Sequence, residues 1–329
     1  MLPSSVSHKL RWISAAIIGA ALVAGCASSK KRTTPVLEDV AYEIDRWQYL
    51  GRRGRQITTD HYEVYTTLSD PVLLEAIPQV VETAYLFYRQ LVPSAREPQE
   101  RMQVYLFARR AEWAAFTRHL AGPRAETLLK VRQGGYSERG ISVAEYVSHS
   151  VTFPLLTHEG FHQYLYHCVG RRVPAWLNEG LAVLCEGQRW GDVGLREFDP
   201  WYNPSRRNTL ADVMLRDKLF ALDELLRMNA GQVVGGSTRE IGAYYGQVWA
   251  LMLFLREGED GMYAERFTRL LHALGSQDLE HAARAAHLGS SRSDFNFGRE
   301  LFCGFITDDL ATFERQYTAF LEKKILSAR

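Results

Sequence analysis

Two histidines four residues apart, with a glutamate directly after the first, have the types and spacing that metal chemistry needs. His158, Glu159 and His162 stand in LLTHEGFHQY, residues 155–164. On a helix, positions i and i+4 share a face, so both imidazoles can reach one metal ion. Glu159 is turned about 100° away from that face. It is off the shared coordination direction but within reach of a water beside the ion, which is where a general base belongs. Catalytic zinc takes three protein ligands and keeps one position for water, and two histidines with a glutamate are an established set. The third ligand is expected at Glu179, in VPAWLNEGLAVLCEG, residues 173–187.

Two helices must position these groups. Pro154 fits the first turn of one, Leu155, Leu156, Phe161 and Leu165 supply its apolar residues, and Gly170 can close it. Pro174 starts the second helix and Gly187 ends it. If the pair is an antiparallel hairpin turning at residues 170–171, His162 and Glu179 come level. The same count separates Cys168 from Cys185 by roughly 18 Å along the axis, beyond disulfide reach, so buried thiols are expected there. Gly160 and Gly180 each cost about 1 kcal/mol of helix propensity, and they are expected where another backbone approaches closely. Glu186 shares a face with Glu179 and has two readings, a carboxylate behind a ligand histidine or a solvated structural charge.

Other elements frame this pair. HYEVYTT (61–67) alternates as a strand, and Asp70 caps a helix that has Pro71 at its first position. That helix carries Leu73, Ile77, Val81, Ala84, Tyr88 and Leu91 at helical spacing, with a kink expected at Pro78. MQVYLFA (102–108) reads as a buried strand, 110–120 as a short helix and GGYSERGISVAEY (134–146) as one strand bounded by glycine. Helices are expected over 153–168, 175–186, 210–228, 240–257, 261–274 and 306–325. The loop 188–208, with Trp190, Trp201 and Tyr202, is expected to wall the cleft. The pattern is α+β, a small mixed sheet (strand-rich 56–150) followed by a mainly helical half (151–329).

The 329 residues are 46% apolar and 23% charged, enough to bury a substantial core. A net charge of +1 gives no electrostatic reason to expect a nucleic-acid partner. The clusters Arg52-Arg53 with Arg55, Arg171-Arg172 and Arg206-Arg207 read as solvated loop charge. At the N-terminus, Lys9 and Arg11 precede an apolar run from Trp12 to Gly25. It is shorter than the ~20 residues of a spanning helix and suits a secretory signal. The run ends in LVAGC, which resembles a bacterial lipoprotein signal. That resemblance implies cleavage before Cys26, acylation of Cys26, and a lipid anchor in a membrane of the bacterial cell envelope. Residues 26–55 then read as a tether, and Ala27-Ser28 point to the periplasmic face of the outer membrane.

H-E-x-x-H followed by PAWLNEGLA resembles the gluzincin metallopeptidases. More narrowly it is similar to the peptidase MA-like bacterial proteins, whose motif reads P-x-W-L-x-E-G-x-A. The resemblance covers about residues 56–258. It implies a zincin-like domain over 56–329 with the metal site between its halves, Zn2+ held by His158, His162 and Glu179, and Glu159 activating water. It further implies an edge strand that pairs with an extended peptide, and a tyrosine at the head of YYGQVWALMLFL (244–255) that stabilises the oxyanion. Tyr245 aligns best for that role, with Tyr244 as the alternative. Two departures stand out: the G-x-M-E-N signature is absent, and Val183 sits where an aspartate would orient a ligand histidine. The expectation is a zinc metallopeptidase acting on a peptide or protein substrate. Its rivals are an inactive zinc lipoprotein serving as a peptide-binding or structural module, and an amidase acting on cell-wall peptide.

Overall fold

Alternation in YEVYT and MQVYLF turns Tyr62, Val64, Met102, Val104 and Leu106 to one buried face, and these two strands form the centre of a sheet. The computed structural model describes residues 33–327, apart from 132–133, 193, 230–231, 233–235 and 289–293. The signal run and Cys26 therefore lie outside the described residues. In chain order the strands begin with β1 (Thr34–Pro35), β2 (Glu43–Tyr49), β3 (Arg52–Thr58), β4 (Tyr62–Thr66), β5 (Met102–Phe107), β6 (Gly135–Glu138) and β7 (Ile141–Glu145). The main sheet has the order β2-β3-β4-β5-β7-β6. Pairing is parallel at β4/β5 and β5/β7 and antiparallel elsewhere, so the sheet is mixed.

Two expectations change here. The stretch assigned to a tether, 26–55, contains β2 and most of β3. The five residues of β2 outside its two aromatics are all exposed, so no apolar period marked it. Its turn is Leu50-Gly51, both at positive φ, without the Asn-Gly that announces such a hairpin. The second change is in 134–146, which is a hairpin rather than one strand. Arg139 and Gly140, at φ 52° and 76°, form a two-residue turn between β6 and β7. That turn leaves β6 at the edge of the sheet.

Helix α1 (Pro71–Leu91) is capped by the Asp70 carboxylate, which accepts from Val72 N at 2.9 Å. It is one continuous element through Pro78, and it buries all six residues expected on its apolar stripe. α2 (Arg110–Ala121) and the one-turn α3 (Ala125–Leu128) follow β5. Trp113 and Phe116 of α2 pack with Phe107, Tyr136 and Val143 on the sheet face opposite α1.

The helical half starts with α4 (His149–Tyr164), which continues as a wide turn over Leu165–Val169 and stops at left-handed Gly170. α5 (Ala175–Leu184) returns beside it. The expected loop 188–208 is instead a hairpin, β8 (Gln188–Gly191) and β9 (Gly194–Phe198), which joins β1 in a second sheet of order β1-β9-β8. Beyond it lie α6 (Pro204–Leu215), α7 (Leu222–Arg227) and α8 (Thr238–Glu257). The single helix expected over 210–228 thus breaks into α6 and α7, with Asp217 at φ 53° in the gap. α9 (Ala264–Ser276), α10 (Leu279–Leu288), α11 (Phe297–Phe305) and α12 (Leu310–Leu321) complete the half. α10 was not foreseen because only Leu279 and Ala283 are buried in it.

The α+β class holds, and α4 joins its two parts. Gln163 on α4 is fully buried and donates Nε2 to the carbonyls of Gln103 (2.7 Å) and Gly140 (2.8 Å), tying the helix to β5 and to the β6–β7 turn. On the other side Thr157 donates to the Cys185 carbonyl at 2.7 Å, tying α4 to the end of α5. Cys168 and Cys185 are buried thiols with no disulfide between them, and burial pushes Cys168 up to about 12.

Candidate metal centre

The α4–α5 hairpin brings His158, His162 and Glu179 together, one ligand atom from each lying within 4.8 Å of the others. The two Nε2 atoms are 3.2 Å apart, and Glu179 Oε2 lies 3.4 Å from His158 Nε2 and 3.5 Å from His162 Nε2. Ligand atoms about 2.0–2.1 Å from a tetrahedral zinc ion would stand about 3.3–3.4 Å apart. The triangle has that size.

Protonation makes the same point. His158 Nδ1 is 2.9 Å from Glu186 Oε1, and His162 Nδ1 is 3.0 Å from Asn178 Oδ1. Both partners accept, so each Nδ1 carries a proton, and in its neutral, metal-binding form each ring turns its Nε2 lone pair inward. Glu179 Oε2 is buried and has no hydrogen-bond donor. Three ligand atoms thus face one another, and a cation would take the place of any proton held among them. His158, His162 and Glu179 can hold a metal ion.

The surrounding charge agrees. Three buried or nearly buried carboxylates, Glu159, Glu179 and Glu186, meet one guanidinium, Arg206. Burial works against a charge on His158, but Glu179 and Glu186 outweigh it and push the imidazole up to about 10. Burial likewise opposes ionisation of Glu179, yet the two histidines hold it well below the usual carboxylate range. Glu159 is 8% exposed, and burial raises its carboxyl against the pull of His158 and His162. The site still reaches solvent, since the His162 and Glu179 side chains are 17% and 12% exposed.

Glu186 is not the solvated charge that one reading allowed. Besides His158 it accepts from Arg206 Nη2 (2.8 Å), Arg206 Nε (3.0 Å) and Asn203 Nδ2 (2.7 Å). Burial opposes its charge, but Arg206 and His158 bring it down to about 2. Asn203 also caps α6, its Oδ1 accepting from Arg206 N at 3.1 Å. Sequence reading missed Asn178 and Asn203, and it took Arg206, which lies in α6 and pairs with Glu186, for solvated loop charge. Only Asn178 carried a signal, since it sits beside Glu179 and one helical step round from it.

Two further expectations change. Gly160 and Gly180 admit side chains rather than backbone: a Cβ at Gly160 would meet the Tyr88 hydroxyl at 2.6 Å, and one at Gly180 would meet Met252 Cγ at 2.9 Å. The aromatic residues of 188–208 pack on other neighbours. Trp190 lies against His149 and Phe153, Trp201 donates to Glu257, and Tyr202 lies under Arg189. What this stretch brings to the site is Asn203 and Arg206.

The two tyrosines of α8 differ in exposure and in ring contacts. Tyr245 is half-buried, with its ring 5.9 Å from that of His158 and the Arg206 guanidinium 4.8 Å above it. Tyr244 is fully buried. Tyr245 therefore lies beside the ligands. No protein-family model matches the chain. A search of curated proteins likewise finds no match.

Proposed function

We propose that this chain is a zinc-dependent peptide hydrolase of the gluzincin kind. The single observation that carries the reading is the triangle of His158 Nε2, His162 Nε2 and Glu179 Oε2, sized for a tetrahedral ion. Two imidazoles and one carboxylate favour zinc among common divalent ions. Bound there, the ion would supply Lewis acidity towards a carbonyl oxygen and lower the pKa of a water. Glu159, next to His158 and electrostatically coupled to all three ligands, takes the proton from the attacking water and returns it to the leaving amine. Tyr245, whose ring stands 5.9 Å from that of His158, donates to the carbonyl oxygen as charge builds on it.

A peptide or protein substrate suits the sheet edge. Glu145 N donates to Gly134 O at 3.2 Å. By antiparallel alternation the partly exposed Ser137 of β6 then turns its backbone groups away from β7, towards the side where an extended chain would pair. Glu159→Gln should retain one zinc per chain by metal analysis while hydrolysis of a peptide library falls at least ~100-fold, the lower range for loss of an acid–base group. Undiminished turnover in that variant sinks the mechanism.

The reading includes a lipid anchor at Cys26 in the cell envelope, supported by LVAGC after a short apolar run. Among the described residues no helix is long and apolar enough to cross a membrane. Mass spectrometry of the mature N-terminus should find an acylated Cys26, and an intact, unmodified Met1 start would refute it.

A further inference from the structure

The β2–β3 hairpin has two faces of opposite character. One is sealed: Trp47 packs with Tyr65 and Tyr105, Tyr49 with Phe107 and Phe116, and Arg52 pairs with Glu112 at 2.7 Å. The other is open. Ile44, Arg46 and Gln48 of β2 share it with Arg53 and Arg55 of β3, because cross-strand partners project to the same side. All five are exposed, Ile44 at 44%, and Leu50 at the tip is 65% exposed. No carboxylate among the described residues pairs with Arg46, Arg53 or Arg55.

Two features of this face work against fold stability. Leu50 sits in the left-handed region at φ 49°, in a turn that favours asparagine or glycine there. Arg46 lies directly opposite Arg55, a like-charge pair across the strands. Local rules broken together on one exposed surface point to a binding role.

We propose that this face docks on an anionic lipid surface. Three arginines without carboxylate partners complement negative headgroups, and their hydrocarbon stems lie along the interface while the guanidinium groups stay at it. Leu50 and Ile44 supply exposed hydrocarbon between the charges, which suits the apolar layer beneath headgroups and has no counterpart in a soluble polyanion. The sealed face holds the hairpin rigid, so docking needs no ordering of the loop. The inference does not depend on the peptidase reading, although an acylated Cys26 would bring the chain to such a surface.

The test mixes full-length protein with phosphatidylcholine vesicles, with and without phosphatidylglycerol, and follows amide hydrogen exchange by mass spectrometry. Exchange across residues 42–55 should slow several-fold with the anionic vesicles only. Salt at about 1 M, where the screening length is about 3 Å, should restore it. R46E/R53E should abolish the protection. L50N should weaken it while keeping or raising the melting temperature, because asparagine tolerates the left-handed turn. Unchanged exchange in 42–55 on anionic vesicles overturns the proposal, as does protection that survives R46E/R53E. Equal protection by heparin that is indifferent to L50N also overturns it, and assigns the face to a polyanion.

Discussion

Each imidazole of the site is held by its far nitrogen as much as by its near one. Glu186 fixes the tautomer of His158 and Asn178 that of His162, so both Nε2 atoms already point inward before any ion arrives. Arg206 in turn holds Glu186 through two of its nitrogens and lies over Tyr245, so one guanidinium braces a carboxylate and a ring on either side of the site. Glu186→Ala should therefore weaken zinc binding about 10–100-fold, the usual cost of losing such a partner. Competition with a chelator measures it. Because the variant also leaves Arg206 without its carboxylate, the loss should not add to that of Arg206→Ala: the double variant should bind zinc about as weakly as the worse single one. Additive losses would show that Arg206 acts apart from Glu186.

At the scale of elements, the spacing between α1 and α4 is set by one hydroxyl. Tyr88 of α1 donates to the Thr157 carbonyl at 2.6 Å, and Gly160 leaves the space that this hydroxyl fills. Alanine at 160 would gain about 1 kcal/mol in helix propensity but must displace an oxygen already anchored to backbone. Overpacking of this kind costs about 1–3 kcal/mol, so Gly160→Ala should lower the thermal midpoint. In a Tyr88→Phe background the obstacle is gone, and the same substitution should be neutral or stabilising. Calorimetry on the four variants decides it, and equal effects in both backgrounds would remove the steric explanation. Much at this scale was readable beforehand. The apolar stripe of α1 and the level of Glu179 with His162 follow from a 3.6-residue period. The β2–β3 hairpin was not readable, because an edge strand with most side chains exposed carries no apolar alternation and its Leu-Gly turn lacks the usual signal.

For the molecule as a whole, the site is a clasp between the sheet and the helical half. α4 is bonded to β5 and the β6–β7 turn through Gln163 and to α5 through Thr157, and His158 and His162 sit between those bonds. An ion that binds the folded state only should stabilise it by about 2.7 kcal/mol when present at about 100 times its Kd. Chelation should thus lower the melting temperature by several degrees, and added zinc should restore it. A midpoint unmoved by chelator would mean that no ion binds there. For Glu179→Ala the same chelator should have little effect, since the third ligand is already lost.

The sequence by itself determined what depends on neighbours along the chain: two histidines on one helical face, a glutamate one step round from them, a second helix of the right length to bring Glu179 level, and the α+β class. These follow from fixed helical and strand periods, which act over a few residues. Tertiary structure decided which groups stand behind the ligands. Glu186 could equally have faced water, and Asn203 and Arg206 come from a helix whose approach no local pattern specifies. It also decided that Tyr245 sets its ring against His158 while Tyr244 is fully buried, because adjacent residues on a helix differ by about 100° and packing sets which way each one turns. Rotation and docking of elements are fixed by contacts between residues distant in the chain, and a single sequence carries no period for those.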